Sequence, residues 1–121
     1  MAFATGIANL EEYMLGRIGI KAEKVHSKTH CFLKLKNISI LTDEGEKKGD
    51  TLIDPTWNLG DQRFNTYPQH FCVNYETLRR ADITPNGQDR RCHENDELAD
   101  VTLQLDEQYL RRVYSSIRIS R

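Results

Sequence analysis

Along the first eighteen residues the apolar positions Ile7, Leu10, Met14 and Ile18 recur at helical spacing, with Glu11, Glu12 and Arg17 off that stripe. Gly19 supplies a stop, so the spacing predicts an amphipathic helix over 6–18 whose apolar face needs a sheet to cover it. Lys21 to Val25 reads as a short strand. The period then changes to two: Cys31, Leu33 and Leu35 share one face, His30, Phe32 and Lys34 the other, and Ile38 to Leu41 extends the run. Thr42 to Gly49 is a polar turn, and Thr51 to Ile53 returns as a strand that Pro55 ends.

Beyond Trp57 the pattern loosens into a polar loop, Asn58 to Gln69, and His70 to Val73 reads as one more strand. Asn74 is placed to cap a short helix through Arg80, and Pro85-Asn-Gly87 marks a turn. Asp89 to Asp100 is polar enough to be a surface loop. Asp106 then caps a helix to about Ile117, in which Leu110, Val113, Tyr114 and Ile117 share a face. The sum is an α+β fold: an N-terminal helix packed on an antiparallel sheet, with additional C-terminal helices, in a single domain 1–121.

Composition removes several function classes. A chain of 121 residues is one domain, small for a complete enzyme, and 38% hydrophobic with 29% charged residues suits a soluble globular protein. No apolar run is long enough to span a membrane. Basic and acidic side chains number 17 and 18 and are interspersed, so the basic footprint of a nucleic-acid binder is missing. The stretch Ala2 to Ala8 is too short and lacks the basic flank of a signal peptide, and the expected compartment is the cytoplasm. Three cysteines, Cys31, Cys72 and Cys92, cannot all pair within the chain, and no disulfide framework is expected.

The chemistry is concentrated on His30 and Asp54, which sit on two consecutive predicted strands and offer an imidazole a carboxylate partner. A strand histidine is also commonly a packed structural residue, and an Asp before Pro commonly bonds its own backbone in a turn. The pairs His30-Cys31, His70-x-Cys72 and Cys92-His93 supply zinc-type donors, but none of the usual Cys-x-x-Cys spacing is present and no metal is expected. Asp96, Glu97 and Asp100 lack the spacing and glycine of a calcium loop. Cys92, in Asp89-Arg-Arg-Cys-His93, has cations beside it that lower a thiol pKa and is a weak candidate nucleophile. Cys31 and Cys72 read as small core residues.

Four motifs in order carry a resemblance: Ala4-Thr-Gly-Ile-Ala8, Arg17-Ile-Gly-Ile20, His30-Cys-Phe32 and Asp54-Pro-Thr56. They resemble the Cys-x-Gly-x-Ala, Leu-Gly-Ile, His-Ala-Trp and Asp-Pro-Thr motifs of the transglutaminase-like superfamily, papain-type cysteine enzymes. The resemblance covers about the first half of the chain and implies a papain/transglutaminase-like core. It implies thiol chemistry on a peptide or amide bond, by hydrolysis or acyl transfer, with no cofactor. By that resemblance position 4 is the nucleophile, His30 the base and Asp54 its orienting partner, while Phe32 stands for the usual tryptophan. Phe32 and Trp57 are the expected substrate-binding residues, and Trp57 reads equally as a core or cleft-edge aromatic.

Ala4 occupies the nucleophile position, and alanine has no group that attacks a carbonyl, so the chain as written is inert. Met1 falls three residues earlier, where family members carry upstream helices, and the resemblance therefore implies a domain truncated at its N-terminus. The alternative reading is a non-catalytic module that keeps the same cleft to hold a peptide or protein partner.

Overall fold

A computed structural model describes residues 2–63 and 66–119, and the side chains of most of them. Helix α1 (Ala2–Arg17) leads into strands β1 (Ala22–His26), β2 (Cys31–Thr42) and β3 (Gly45–Ile53). Helices α2 (Pro55–Arg63) and α3 (Tyr75–Arg80), a 3₁₀ turn (Asp96–Leu98) and helix α4 (Glu107–Ile119) follow. The strands form one antiparallel sheet in the order β1-β2-β3. This is the α+β arrangement of an N-terminal helix on an antiparallel sheet.

The alternation in β2 is used on both faces. Cys31, Leu33 and Leu35 pack with Ala8, Ile40, Ile53 and Cys72 on one side. Phe32 packs with Leu52, Val73, Leu78, Leu98 and Val101 on the other. Strand β2 is thus covered by α1 on one side and by α3 and the 3₁₀ turn on the other, which makes its first residues a rigid base for whatever precedes them.

α1 does not bury the stripe that hydropathy selects. Leu10, Met14 and Ile18 are 59%, 54% and 71% exposed, and Ile18 lies past the helix end. The helix instead buries Ala8 and packs Leu15, while Asn9 and Glu12 meet Lys24 of β1. Alanine lets the helix axis approach the sheet closely, and the polar partners on β1 fix the rotation, a choice that side-chain size alone gets backwards.

The β2–β3 connection is tighter than its polar composition suggests. Thr42 pairs with Gly45 across Asp43 and Glu44, and Gly45 takes a φ of 105° as the chain leaves the turn, so Glu46 to Lys48 are exposed strand residues rather than turn. Residues 58–63, expected as loop, belong to α2. The sequence signal was Asp54-Pro55, an N-cap followed by the residue favoured at the first helical position. His70 to Val73 forms an isolated bridge, Val73 to Leu52, not a strand. Asn74 caps α3 by accepting from the Thr77 N–H at 2.7 Å, and Asp106 caps α4 through the Gln108 N–H at 3.0 Å, both as the sequence indicates.

Candidate functional site

His30 closes the turn between β1 and β2. Its carbonyl accepts from the Ser27 N–H at 3.0 Å, and its own N–H donates to Ser27 Oγ at 3.0 Å, so the turn fixes the residue before the strand begins. One residue later Cys31 packs in the same buried cluster as Ala8 of the early turns of α1. The start of α1 therefore lies beside the start of β2. Ala4 is in that helix, but its side chain is outside the described residues.

Asp54 sits at the junction of β3 and α2 and serves both roles left open by the sequence. Its Oδ1 accepts the Trp57 N–H at 3.1 Å and its carbonyl the Asn58 N–H at 2.9 Å, which caps α2. Its Oδ2 accepts from His30 Nε2 at 2.7 Å, in a site where Asp54 is fully buried and the His30 side chain is 10% exposed. With Nε2 engaged, His30 turns Nδ1 toward whatever lies on its far side, and no described residue partners that atom.

Asp54 Oδ2 has a second donor that the sequence did not reveal. His93 Nε2 lies 2.6 Å from the same oxygen, and His93 Nδ1 lies 2.8 Å from Asp82 Oδ1. Asp82 also accepts the His93 backbone N–H at 2.9 Å and Arg79 Nη1 at 2.7 Å, and Arg79 forks onto Asp89 at 2.6 and 3.0 Å. A continuous chain runs from His30 through Asp54, His93, Asp82 and Arg79 to Asp89. His93, expected in a solvated loop, is fully buried. It is turned inward because the Asp89 side chain caps the Arg91 N–H at 2.9 Å, at a left-handed φ of 54°, while Asp82 captures its own N–H.

The electrostatics follow from these bonds. Burial opposes the charged form of Asp54, but hydrogen bonds from His30 and His93 outweigh it and hold the carboxyl at about 2. Burial likewise penalises the His93 imidazolium, and its two carboxylates reverse the balance and raise its pKa. Asp82 is lowered: burial pushes it up, and the bonds from His93 and Arg79 pull it down further.

Aromatic rings enclose the pair. Trp57 meets His93 edge to face at 4.5 Å and His30 at 6.1 Å, with the Arg90 guanidinium 4.9 Å above its ring. Phe32 stacks behind His30 at 6.2 Å but is fully buried, so its ring backs the imidazole and offers no face to a ligand. The ring of Phe32, expected to bind substrate, thus lies behind the imidazole rather than on an open face. Trp57 is half-buried and keeps a face toward the site.

None of the three thiols is activated. Burial raises Cys31 and pushes Cys72 up to about 12, and burial with the Asp82 charge raises Cys92 despite Arg90. The cations beside Cys92 are held by other partners, Arg90 over the Trp57 ring and Arg91 by Glu94.

His30, Asp54 and His93 place one donor atom each within 4.8 Å of one another, a set that includes ligands zinc accepts. Two of those separations are 2.6 and 2.7 Å. Donors around a tetrahedral zinc at ~2.0–2.1 Å stand about 3.3 Å apart, so these atoms have the spacing of shared hydrogen bonds rather than of zinc ligands. Of the three His/Cys pairs in the sequence, His30 and His93 meet at Asp54, while Cys31 and Cys72 lie together in the buried cluster on the other face of β2. Comparison with protein-family models, with curated proteins and with solved structures finds no match for this chain.

Proposed function

We propose that this chain carries the base and orienting carboxylate of a thiol-dependent amide- or peptide-acting site of the transglutaminase-like, papain-related type, with Ala4 at the nucleophile position. The observation that supports it is the buried 2.7 Å bond from His30 Nε2 to Asp54 Oδ2 beside the first turns of α1. It leaves Nδ1 as the basic atom. With a cysteine at position 4, Nδ1 takes the thiol proton, the sulfur attacks the carbonyl carbon, and the proton passes to the leaving amine as the thioester forms. Water or a second amine then attacks the thioester carbon, His30 takes its proton, and the thiol is regenerated. The amino end of α1 provides N–H donors and partial positive charge for the developing oxyanion. With Ala4 in place the first step has no electron pair to begin it, and no thioester forms.

Ala4→Cys tests this. A small electrophile such as iodoacetamide is expected to modify the introduced thiol at about pH 6, where an ordinary thiol of pKa ~8.5 is almost wholly protonated. Modification no faster than that of Cys31, Cys72 and Cys92, followed by peptide mass mapping, would remove the catalytic reading.

A further inference from the structure

We infer that His93 is a positioning residue of this site that is protonated at neutral pH: its imidazolium answers the charge of Asp54, the carboxylate that orients His30. The inference rests on the functional reading above for what the site does, but its own basis is independent geometry.

Both ring nitrogens of His93 face carboxylate oxygens, Nε2 at 2.6 Å from Asp54 and Nδ1 at 2.8 Å from Asp82. A neutral imidazole has one N–H. One nitrogen would then point a lone pair at an oxygen lone pair within hydrogen-bond distance, in a fully buried place where no water relieves the repulsion. Protonating a carboxyl group instead is the costlier solution. Asp54 already accepts from His30 and the Trp57 N–H, and Asp82 from the His93 N–H and Arg79, so each is surrounded by donors that favour the ionised form. The proton belongs on His93.

The other groups packed against the ring are consistent with that charge. Phe32 and Trp57 meet it edge to face at 5.0 and 4.5 Å, and His30 at 5.4 Å. The one cation on the chain beyond it, Arg79, is separated from the ring by Asp82 and held by Asp89. Arg90 lies over the Trp57 ring. Along the line the charges alternate: Asp54 negative, His93 positive, Asp82 negative, Arg79 positive, Asp89 negative.

For His30 the consequence is specific. Asp54 fixes which nitrogen carries the hydrogen, and Nδ1 remains a lone pair. His93 shares the Asp54 oxygen that holds His30 Nε2, so it fixes in place the carboxylate that orients His30.

Long-range ¹H–¹⁵N spectra of the unaltered protein test the first half without any thiol chemistry. At about pH 7 both ring nitrogens of His93 are expected to carry hydrogens. A single ring N–H on His93 at that pH overturns the inference. In His93→Gln, which keeps a donor but no charge, the Asp54 carboxyl loses its imidazolium partner and is expected to titrate at higher pH than in the parent. An unmoved Asp54 titration makes His93 a merely structural residue. If His93→Gln does not fold, Asp82→Asn is the second variant: His93 should then lose its second hydrogen at lower pH than in the parent, and an unchanged titration refutes the argument. Protonated His93 together with an unreactive Ala4→Cys would sink the catalytic reading and leave the charge assignment standing, so the two failures are distinguishable.

Discussion

Replacing Asp54 by Asn keeps shape and volume but changes what the group offers. Asp54 is fully buried and accepts three hydrogen bonds through its side chain, from His30, His93 and the Trp57 N–H. An Asn oxygen can keep the α2 cap only if its NH₂ is turned toward the two imidazole N–H groups, setting donor against donor. Turned the other way, it loses the cap. Removing one partner from a buried charge pair costs about 3–5 kcal/mol, a large share of the 5–15 kcal/mol that holds typical domains. Because His93 is left as a buried cation with only Asp82, the penalty should depend on pH. At about pH 6 urea denaturation should show the full loss. At about pH 9, where His93 in Asp54→Asn can shed its proton and accept from the new amide, one neutral hydrogen bond of about 1 kcal/mol is recovered and the loss shrinks. A loss below about 1 kcal/mol, or one equal at both pH values, would refute the reasoning.

Other expectations follow from the same geometry. Asp54 is depressed from 3.8 to about 2, so its contribution of about 2 kcal/mol is present above pH ~4 and lost as pH falls through about 2. His93 is raised, so its contribution is complete below its ordinary 6.5 and lost as pH climbs through the higher folded value; urea midpoints should peak between those limits. A Cβ on Gly49 would stand 2.7 Å from Leu103 Cδ1, and Gly49→Ala should lower stability by about 1–2 kcal/mol as Leu103 shifts, measured by thermal unfolding. Asn74→Ala removes the 2.7 Å cap of α3 and should cost about 1 kcal/mol, while Asn74→Asp should cost much less.

What the sequence made legible was whatever rests on local rules. The alternation of β2 was visible because both of its faces are buried at the His30 end, and Asn74 and Asp106 are caps by their own chemistry. The rotation of α1 was not. The helix has two apolar arcs, Ala8 with Leu15 and Leu10 with Met14, and a close approach to the sheet, not hydrophobicity, decides between them. At Asp54 both competing readings hold, since one oxygen caps α2 while the other receives His30. Phe32 was placed on the correct face but buried too deeply to meet a ligand. His93 was hidden in a polar run with no periodicity, and only Asp82, eleven residues away, explains why it turns inward. The Cys92-His93 pair drew attention to the right place for a different reason. A buried polar chain of long sequence separation leaves no local signature, which is why the half of the site beyond Asp54 required the fold.

The most direct test of the account compares iodoacetamide rates for Ala4→Cys with and without His30→Ala at about pH 6. A fall of at least about tenfold on losing the imidazole is expected, because the neighbouring base is what ionises the introduced thiol. Equal rates in the two proteins would show that position 4 and His30 do not act together, and would contradict the account.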